Sequence, residues 1–591
     1  MPLFIEELTK TVIKIGIVTE AGDHYTVAGP ATSLAIPASL HASLVARLDR
    51  LAPTREVAQI GAALGRTFSH ELISAVAQMP QQKIDEALAQ LVGAELVFRR
   101  GTPPDAEYTF KHALVQDAAY STLLRSRRQQ IHGRIATTLE SRFPETMTAQ
   151  PELLAHHCGE AGLTEKAVGY WLKAGQQAVA RSAMTEAVAQ LRRGLALLAS
   201  MPDHEQRELE LQAALVPAVI AAKGYPAPEV RETIARARSL AEKLDRTDYL
   251  FGLLHGEWLY RLVRGELKLT LSLAKDLQQV ADARNDRAAQ LLAHHWEQGV
   301  THYYLGDFVA ARAFLEHCEG LQHSDHRAVY ATTTATDPYA SSLAYLGMTL
   351  TVLGYIDQGR RRMDEAVSEA RLLKSQYTLA EVLTFAGLTE RHCGSPRTVQ
   401  QHAEEVVALS SEHGLLFWLE VGKAGLLGWS LAALGDARRG LDLIKKGMSV
   451  FATDGAMLPY AGALTNLAEC YAALGRAADG LSCLDEAAQI IDTMGHRYLE
   501  VDVLRVRGDL LNATGDRTAA EESYHRALAV ARHQSAKTFE LHAATSLARL
   551  WRDQGRQVEA RDLLAPIYGW FTEGFDTPVL RDGKTLLDEL N

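Results

Sequence analysis

Glycines spaced by about 40 residues divide most of the 591-residue chain into repeating segments. Glycine is common at the C-terminal end of a helix because it takes the left-handed conformation at little cost. The residues around these glycines also recur, as LGYIDQG, LGDARRG and LGRAADG. We therefore predict that each glycine ends one helix of a repeated helical pair. The glycines are Gly306, Gly354, Gly394, Gly435, Gly475, Gly515 and Gly555.

The segment after each glycine carries a second recurring feature, a small, a large and a small residue. After Gly354 these are Gly359, Met363 and Ala366, which share one helical face because they are spaced by four and three residues. The small residues let a neighbouring helix approach closely, and the large one fills the groove. A repeat of this length predicts a mainly α fold, a right-handed superhelix of stacked helical hairpins. After Gly394 the set differs and reads Val399, Ala403 and Val406.

Charge and cysteine content narrow the class of protein. The net charge of −11 and the pI near 6.1 give no general attraction for nucleic acid or for an anionic membrane. The five cysteines are scattered and never form a CxxC pair, which favours buried reduced thiols over disulfides or a metal site. The N-terminus lacks the apolar segment of a signal peptide. The longest apolar run, residues 415–434, is interrupted by Glu420 and Lys423. We predict a cytoplasmic protein without a membrane span.

The N-terminal residues 1–36 read as the end of another domain. They open with an amphipathic helix and continue with two extended segments, Ile13–Val18 and Tyr25–Val27, joined by a hairpin turn at residues 21–23. A piece of this size is too small to fold alone.

Residues 37–145 are predicted to form a winged-helix domain with a small β-wing. Short helices come first, and two extended segments follow around the turn-rich residues 101–105. A long helix is then expected from His112 through Leu124 toward Leu139. The predicted short elements are helices Ser39–Leu51, Arg55–Leu64, Ser69–Met79 and Gln82–Val92, and strands Glu95–Arg100 and Glu107–Lys111.

Helical pairs fill the rest of the chain. Residues 146–200 are predicted to hold the first pairs, in helices Glu152–Ala161, Thr164–Arg181 and Thr185–Leu198. Residues 201–591 are predicted to form the regular solenoid, with a loop near residues 332–337.

Motifs for phosphate, metal or catalysis are weak. Gly583-Lys584-Thr585 resembles the end of a P-loop, but no strand leads into it and Pro578 stands where the first glycine belongs. The adjacent pairs His156-His157 and His294-His295 are expected to point to different helix faces and so not to chelate one ion. We predict no catalytic residue and no metal site.

A basic run raises the question of DNA binding. Arg125, Arg127, Arg128 and Arg134 lie on one predicted helix, but they spread over more than one face. The recognition helix of a winged-helix domain would be Gln82–Val92, where Asp85 and Glu86 would repel phosphate. Nucleic-acid binding is therefore disfavoured, although it stays open as an alternative.

His112 can be interpreted in two ways. It lies where the second strand of the wing runs into a helix. One interpretation is that its hydrogen bonds tether this junction. The other is a contact with a ligand, which depends on a resemblance to a known family.

Three stretches carry that resemblance: PLFIEEL at residues 2–8, IPASL followed by LVARLD at residues 36–49, and FKHALVQDAAY at residues 110–120. They are similar to the end of the ATPase core, the entry to the winged helix and the strand-to-helix junction of STAND-type ATPases (signal-transduction ATPases with numerous domains). The resemblance is to the ATPase-plus-tetratricopeptide half found behind bacterial class III adenylyl cyclase domains and in large LuxR-type regulators. It covers essentially the whole chain.

The resemblance implies a nucleotide role for two residues. In such proteins the nucleotide sits between the ATPase core and the winged helix, and a histidine at this junction contacts ADP. By position that histidine is His112, and Pro2 would line the adenine pocket. The Walker motifs and any cyclase domain would lie before Met1, so we expect no cofactor and no enzymatic activity in this chain by itself. ATP or ADP would bind only in a longer parent that supplies the ATPase core.

The leading functional hypothesis is a non-catalytic regulatory module. The concave surface of a tetratricopeptide-like (TPR-like) solenoid would bind a protein partner or effector, and the winged helix would relay the nucleotide state. The alternative is a piece of an adenylate cyclase or LuxR-type regulator whose catalytic or DNA-binding parts lie outside the chain. Candidate partner-binding residues on the inner helices of the repeats are Trp258, Tyr303, Tyr304, Tyr345, Trp418, Trp429 and Tyr471.

Overall fold

The fold is described from a computed structural model. The description covers residues 18–21, 24–27, 40–51, 54–198, 201–323, 325–327 and 334–590. The chain divides into two compact units, residues 1–173 with 197–201 and residues 174–196 with 202–591. We call them the N-terminal unit and the repeat unit.

The N-terminal unit combines short helices with two small sheets. Strands Val18–Ala21 and His24–Val27 pair as an antiparallel hairpin. A hairpin was predicted here, but its first strand continues to Ala21, which was assigned to the turn. The second sheet is antiparallel with the order Thr67–Ser69, Glu107–Phe110, Val97–Arg100. The helices are Leu40–Asp49, Arg55–Leu64, His70–Ala77, Gln81–Gly93, Ala113–Ser121, Arg125–Arg142, Pro144–Ala149 and Pro151–Glu160.

An aromatic cluster holds the three-stranded sheet to the helices. Phe68 stacks on Tyr108 with ring centroids 5.8 Å apart and also contacts Phe110. Gly61 makes room for this cluster, because a side chain there would meet the Phe68 ring at 2.7 Å. Ser69 caps the helix His70–Ala77 by accepting a hydrogen bond from the Leu72 amide at 3.1 Å, as predicted. The strand Thr67–Ser69 was not predicted.

The prediction of one long helix from His112 toward Leu139 is wrong. Two helices, Ala113–Ser121 and Arg125–Arg142, replace it. The Thr122 hydroxyl donates to the Ala119 carbonyl at 2.7 Å, and Leu124 is extended with ψ at 148°. A hydroxyl that bonds to the local backbone competes with helix propagation, and burial of Leu123 fixes the break.

The repeat unit is a stack of helical hairpins. Two of its helices run without a break through a π-helical turn, at Leu291–Glu297 and at Gly422–Leu427. None of the helices in the described ranges is long and apolar enough to cross a membrane. From residue 164 the α-helices are Thr164–Ala180, Met184–Leu198, Glu205–Lys223, Pro228–Lys243, Thr247–Val263, Leu267–Ala283, Arg287–Gln290, Gln298–Tyr304, Phe308–Leu315, Pro338–Val352, Ile356–Leu373, Gln376–His392, Pro396–His413, Leu416–Val421, Gly428–Ala433, Ala437–Asp454, Met457–Ala473, Ala477–Met494, Glu500–Ala513, Arg517–His533, Lys537–Asp553, Gln557–Tyr568 and Pro578–Leu590, with 3-10 turns at Glu316–Gln322 and Arg497–Leu499.

The glycine pattern is confirmed. Every glycine of the series, from Gly306 to Gly555, has a positive φ, between 70° and 103°, at the end of a helix. The small residues that follow are buried at close helix crossings. A side chain at Gly359 would approach the Gly347 carbonyl oxygen to 2.7 Å. The divergent set after Gly394 is also buried, so that repeat keeps its packing with other residues.

Distant repeats also contact one another. The Thr538 hydroxyl donates to the Thr351 carbonyl at 2.5 Å, and Nε2 of His542 lies 2.9 Å from the His392 carbonyl. The amide of Gln358 donates to a Glu573 carboxylate oxygen at 3.1 Å. These pairs are separated by 150 to 215 residues in the sequence. The helical stack therefore closes on itself, which the repeat period alone did not predict.

Candidate functional site: an aromatic cavity in the repeat unit

The helices that end at the repeated glycines enclose a cavity of about 140 Å³ in the repeat unit. We call it the aromatic cavity. First helices, meaning those that end at the glycines, contribute from several repeats, and loop and turn residues complete the lining. The walls are mainly apolar and aromatic. The residues that the argument uses are Tyr225, Tyr304, Tyr345, Glu381, Phe385, Arg391, Trp418, Gly462, Asn466, His496 and Tyr498.

The aromatic wall is a chain of rings in mutual contact. The hydroxyls of Tyr304 and Tyr345 lie 3.1 Å apart, within hydrogen-bond distance. The Tyr345 ring lies 4.7 Å from that of Phe385, which in turn lies 6.0 Å from that of Trp418. Burial raises the pKa of the Tyr345 hydroxyl well above its usual value, so the wall is uncharged.

Asn466 places an acceptor in this apolar setting. Its amide nitrogen donates to the carbonyls of Ala424 at 3.3 Å and Gly425 at 3.0 Å. These carbonyls belong to the π-helical turn Gly422–Leu427, where the hydrogen-bond pattern departs from that of an α-helix. The side-chain oxygen of Asn466 has no hydrogen-bond partner among the described residues, although the residue is only 2% exposed. Asn466 therefore offers a fixed, unused acceptor.

Glu381 supplies a second polar group. One of its carboxylate oxygens accepts from the Ser341 hydroxyl at 3.4 Å, and the other has no partner within the described ranges. Burial raises the pKa of Glu381 to about 8. The side chain is therefore protonated at neutral pH and can donate a hydrogen bond as a neutral acid.

Arg391 carries the charge at the cavity wall. Its guanidinium lies over the Trp429 ring at 5.2 Å from the centroid and 3.5 Å from a Glu469 carboxylate oxygen. Trp429 donates to the same oxygen at 2.5 Å, and Arg505 donates to the other at 3.0 Å. Glu469 thus balances part of this positive charge.

The predicted partner-binding residues divide between cavity and core. Tyr304, Tyr345 and Trp418 line the aromatic cavity. Trp429 lies behind Arg391 rather than in the lining. Three others lie outside the lining in packed positions: Trp258 donates to Thr301 at 3.2 Å, Tyr303 packs on Tyr498 with centroids 4.9 Å apart, and Tyr471 lies under Arg476 at 4.7 Å.

Sequence reasoning missed the polar members of the cavity. Asn466, Glu381 and Arg391 each lie on a first helix of a repeat, but no pattern repeats them. Tyr225 comes from the loop after Gly224, and Tyr498 from a short 3-10 turn. For Asn466, an amide on the largely apolar helix Met457–Ala473 was the available signal.

The nucleotide candidates lie in or before the N-terminal unit. Pro2 falls outside the described residues. His112 is extended, with φ at −136° and ψ at 147°, immediately before the helix Ala113–Ser121. Its Nε2 has no hydrogen-bond partner in the described part of the chain, so this atom does not supply the predicted tether.

The weak motifs have ordinary structural roles. Gly583-Lys584-Thr585 lies inside the helix Pro578–Leu590, where Lys584 pairs with Asp588 at 2.5 Å, so it is not a phosphate-binding loop. In the basic run, Arg127 pairs with Glu56 and Arg128 covers the Tyr120 ring at 4.3 Å.

His156 and His157 were expected not to chelate one ion. The structure places one ligand atom of each, together with one of His132, within 4.8 Å of one another. The His132 ring, which comes from another helix, contacts both the His156 and the His157 rings.

The paired helices, the glycines between them and the small-large-small crossings define a TPR-type α-solenoid, a class of protein-interaction fold. A model of the tetratricopeptide repeat matches residues 460–533.

Among curated proteins, an uncharacterized protein of Rhizobium meliloti (strain 1021) is 24% identical over 577 residues, which are 93% of this chain and 53% of that protein. The chain thus spans about half the length of this relative. Among solved structures, a Rap protein complexed with competence and sporulation factor is similar over 62% of this chain and 98% of its own, at 13% identity and a TM-score of 0.46. A STAND protein with a tetratricopeptide repeat sensor from Pyrococcus horikoshii is similar over 93% and 69%, at 11% identity and a TM-score of 0.31.

Proposed function

We propose that the chain is the sensor and relay half of a STAND-type signalling ATPase, and that its TPR solenoid binds an extended peptide segment in the aromatic cavity. The observation that carries the binding step is Asn466, a residue of the cavity lining whose buried side-chain oxygen has no hydrogen-bond partner among the described residues.

The size of the cavity selects the kind of side chain. A cavity of about 150 Å³ lined by apolar side chains holds one benzene molecule. The 140 Å³ here therefore suits one aromatic or large aliphatic side chain of the peptide. The ring contacts along Tyr345, Phe385 and Trp418 favour such an anchor.

The polar groups select a peptide rather than a free hydrocarbon. The Asn466 oxygen would accept a backbone N–H, and protonated Glu381 would donate to a backbone carbonyl. Leaving a buried polar atom unpaired costs about 1–3 kcal/mol, so a ligand that pairs it gains affinity and orientation together. An extended peptide presents both kinds of group beside each side chain.

The relay is the second part of the proposal. Helices Arg55–Leu64, His70–Ala77 and Gln81–Gly93 with the three-stranded sheet would act as a winged helix, and His112 would contact ADP held by an ATPase core in cis. The unpaired Nε2 of His112 suits such a contact. Peptide binding would shift an equilibrium between an ADP-bound closed state and an open one.

A cavity-filling variant tests the peptide site. Gly462 lines the cavity within the helix Met457–Ala473, where a Cβ would meet only Leu499 at 3.9 Å. We expect Gly462→Leu to fold and to occupy the cavity. Peptides are first selected on the wild-type chain from a phage-displayed random library. These peptides should bind Gly462→Leu at least about tenfold more weakly than wild type, as measured by fluorescence anisotropy.

The matched control is Gly169→Leu, which places the same side chain in open space on another helix. It should bind the selected peptides with wild-type affinity. Selected peptides that lack an apolar anchor, or that bind Gly462→Leu as well as wild type, would contradict the cavity as the binding site.

The relay is tested by extending the reading frame. Genomic sequence upstream of the Met1 codon should encode a P-loop in frame. In the longer protein we expect His112→Ala to weaken ADP binding, and His317→Ala, in the repeat unit, to leave it unchanged. A frame that instead encodes a cyclase without an ATPase core, or only a DNA-binding domain, would favour the alternative parent over the relay.

A further inference from the structure

Three histidines in the N-terminal unit converge from two helices. His132 lies on Arg125–Arg142, and His156 and His157 lie on Pro151–Glu160. The Nδ1 atoms of His132 and His157 are 2.8 Å apart, and a nitrogen of His156 lies within 4.8 Å of both ligand atoms. His132 and His157 are each 1% exposed, whereas His156 is exposed and opens the cluster to solvent.

We propose that His132, His156 and His157 form a binding site for a late first-row divalent metal ion such as Zn²⁺. This site is separate from the aromatic cavity and does not depend on the proposed function.

The donor set selects the class of ion. Three imidazoles favour Zn²⁺, Cu²⁺, Ni²⁺ or Co²⁺ over Mg²⁺ and Ca²⁺, which prefer oxygen ligands. Two nitrogens bound to one tetrahedral Zn²⁺ at about 2.0–2.1 Å lie roughly 3.3 Å apart. The 2.8 Å between the two Nδ1 atoms thus needs to open by only about half an ångström.

A second set of contacts orients His132 for this role. The Tyr120 hydroxyl lies 2.8 Å from Nε2 of His132 and 3.2 Å from a Glu160 carboxylate oxygen. If Tyr120 donates to Glu160, it accepts from Nε2–H of His132, which leaves the Nδ1 lone pair of His132 facing His157. Metal-binding histidines commonly have their other ring nitrogen held by such a partner.

The proton balance is simple. Without metal, the hydrogen on Nδ1 of His157 bridges to Nδ1 of His132. The metal ion takes its place, and that hydrogen moves to Nε2 of the same His157 ring. Both imidazoles stay neutral, and the bound ion joins the two helices through three nitrogen atoms.

Cobalt and zinc titrations of the full chain test the site. After chelator treatment, we expect the chain to bind one Co²⁺ with the visible absorption of a tetrahedral ion, and Zn²⁺ to displace it. His156→Ala removes an exposed ligand and should keep the fold, checked by circular dichroism, while weakening Co²⁺ binding at least about tenfold. Zn²⁺ should raise the Tm of wild type but not that of His156→Ala.

Two further variants separate ligation from general effects. Tyr120→Phe keeps all three ligands but loses the orienting contact, and we expect it to weaken Co²⁺ binding by about ten- to a hundredfold. His317→Ala is the matched control, because its ring stacks on another histidine, His295, at 5.1 Å and it is not one of the three proposed ligands. It should bind Co²⁺ as wild type does.

Either of two results would overturn the proposal. One is unchanged Co²⁺ stoichiometry and affinity in His156→Ala. The other is a thiolate-to-cobalt band in the near ultraviolet, which would assign the ion to cysteines instead.

Discussion

The two helices of each repeat bury their residues in different ways. The second helix Ile356–Leu373 has one buried stripe, Ile356, Gly359, Met363, Ala366 and Ala370, and exposes its charged face. The first helix of the same repeat, Pro338–Val352, buries 14 of its 15 residues. In this repeat the first helix therefore packs on all sides, whereas the second helix packs through one face.

This difference explains which residues recur. The second helices meet the same neighbour in every repeat, so the same small-large-small set serves each crossing. Several first helices line the aromatic cavity, where each position has a different surrounding. Their buried polar residues, among them Glu381 and Asn466, are consequently specific to one repeat.

The largest effect that separates the two classes of helix is expected at Glu381. Its pKa is raised by burial from 4.5 to about 8, so the native state holds the proton more tightly than the unfolded state. The stability it contributes is full below about pH 4.5 and is lost as pH rises through 8. Between pH 5 and 8.5, we expect the urea unfolding free energy of wild type to fall by about 4 kcal/mol more than that of Glu381→Gln.

Glu412→Gln is the matched control, because Glu412 is exposed on a second helix. It should track wild type at each pH. His392 and His496, whose pKa values burial lowers to about 3, act on wild type and variants alike and cancel in the comparison. Parallel pH profiles for wild type and Glu381→Gln would show that Glu381 is charged in the folded chain.

The next largest effect on stability is expected when two glycines are each replaced by alanine. A Cβ at Gly359, on a second helix, would meet Thr351 Oγ1 at 2.2 Å and the Gly347 carbonyl at 2.7 Å. We expect Gly359→Ala to destabilise the chain by about 2 kcal/mol through overpacking. Gly462→Ala, on a first helix beside the cavity, should instead stabilise it by about 0.5 kcal/mol because alanine favours helix. Thermal unfolding measures both changes in stability. Changes of the same sign would contradict the proposed difference between first and second helices.

The smallest effect is expected at a helix cap. The Asp516 carboxylate accepts from the Ala519 amide at 3.1 Å and so begins the second helix Arg517–His533. Asp516→Ala should cost about 1 kcal/mol in urea unfolding. Asp516→Asn keeps a hydrogen-bond acceptor and should retain most of the wild-type stability. An equal loss of stability in the two variants would show that the charge of Asp516, rather than its capping hydrogen bond, stabilises the helix.

The sequence predicted the parts of the fold that depend on local chemistry. Spacing and residue type predict that helices end at the repeated glycines, that Arg55–Leu64 is a helix and that Ser69 caps the next one. The structure agrees on all three points. The break between Ser121 and Arg125 was missed because a tertiary contact, the burial of Leu123, decides it.

The candidate sites were predicted only in part for the same reason. Tyr304, Tyr345 and Trp418 were found because aromatic residues on first helices are conspicuous. Asn466 became a candidate only once the π-helical turn and the cavity could be seen. Likewise, His132 lies 25 residues from His157, so nothing local to either helix connects them.

The contact between distant repeats has a consequence for the rate of folding. In an open solenoid each repeat can fold on its neighbour, so contacts are short in sequence and folding is fast. Here the Thr538–Thr351 hydrogen bond closes a segment of 187 residues. Bringing the two ends of this segment together lowers the chain entropy, and this cost precedes the gain from the contact. We therefore expect the last folding step of this unit to be the closure of the stack rather than the formation of any helix.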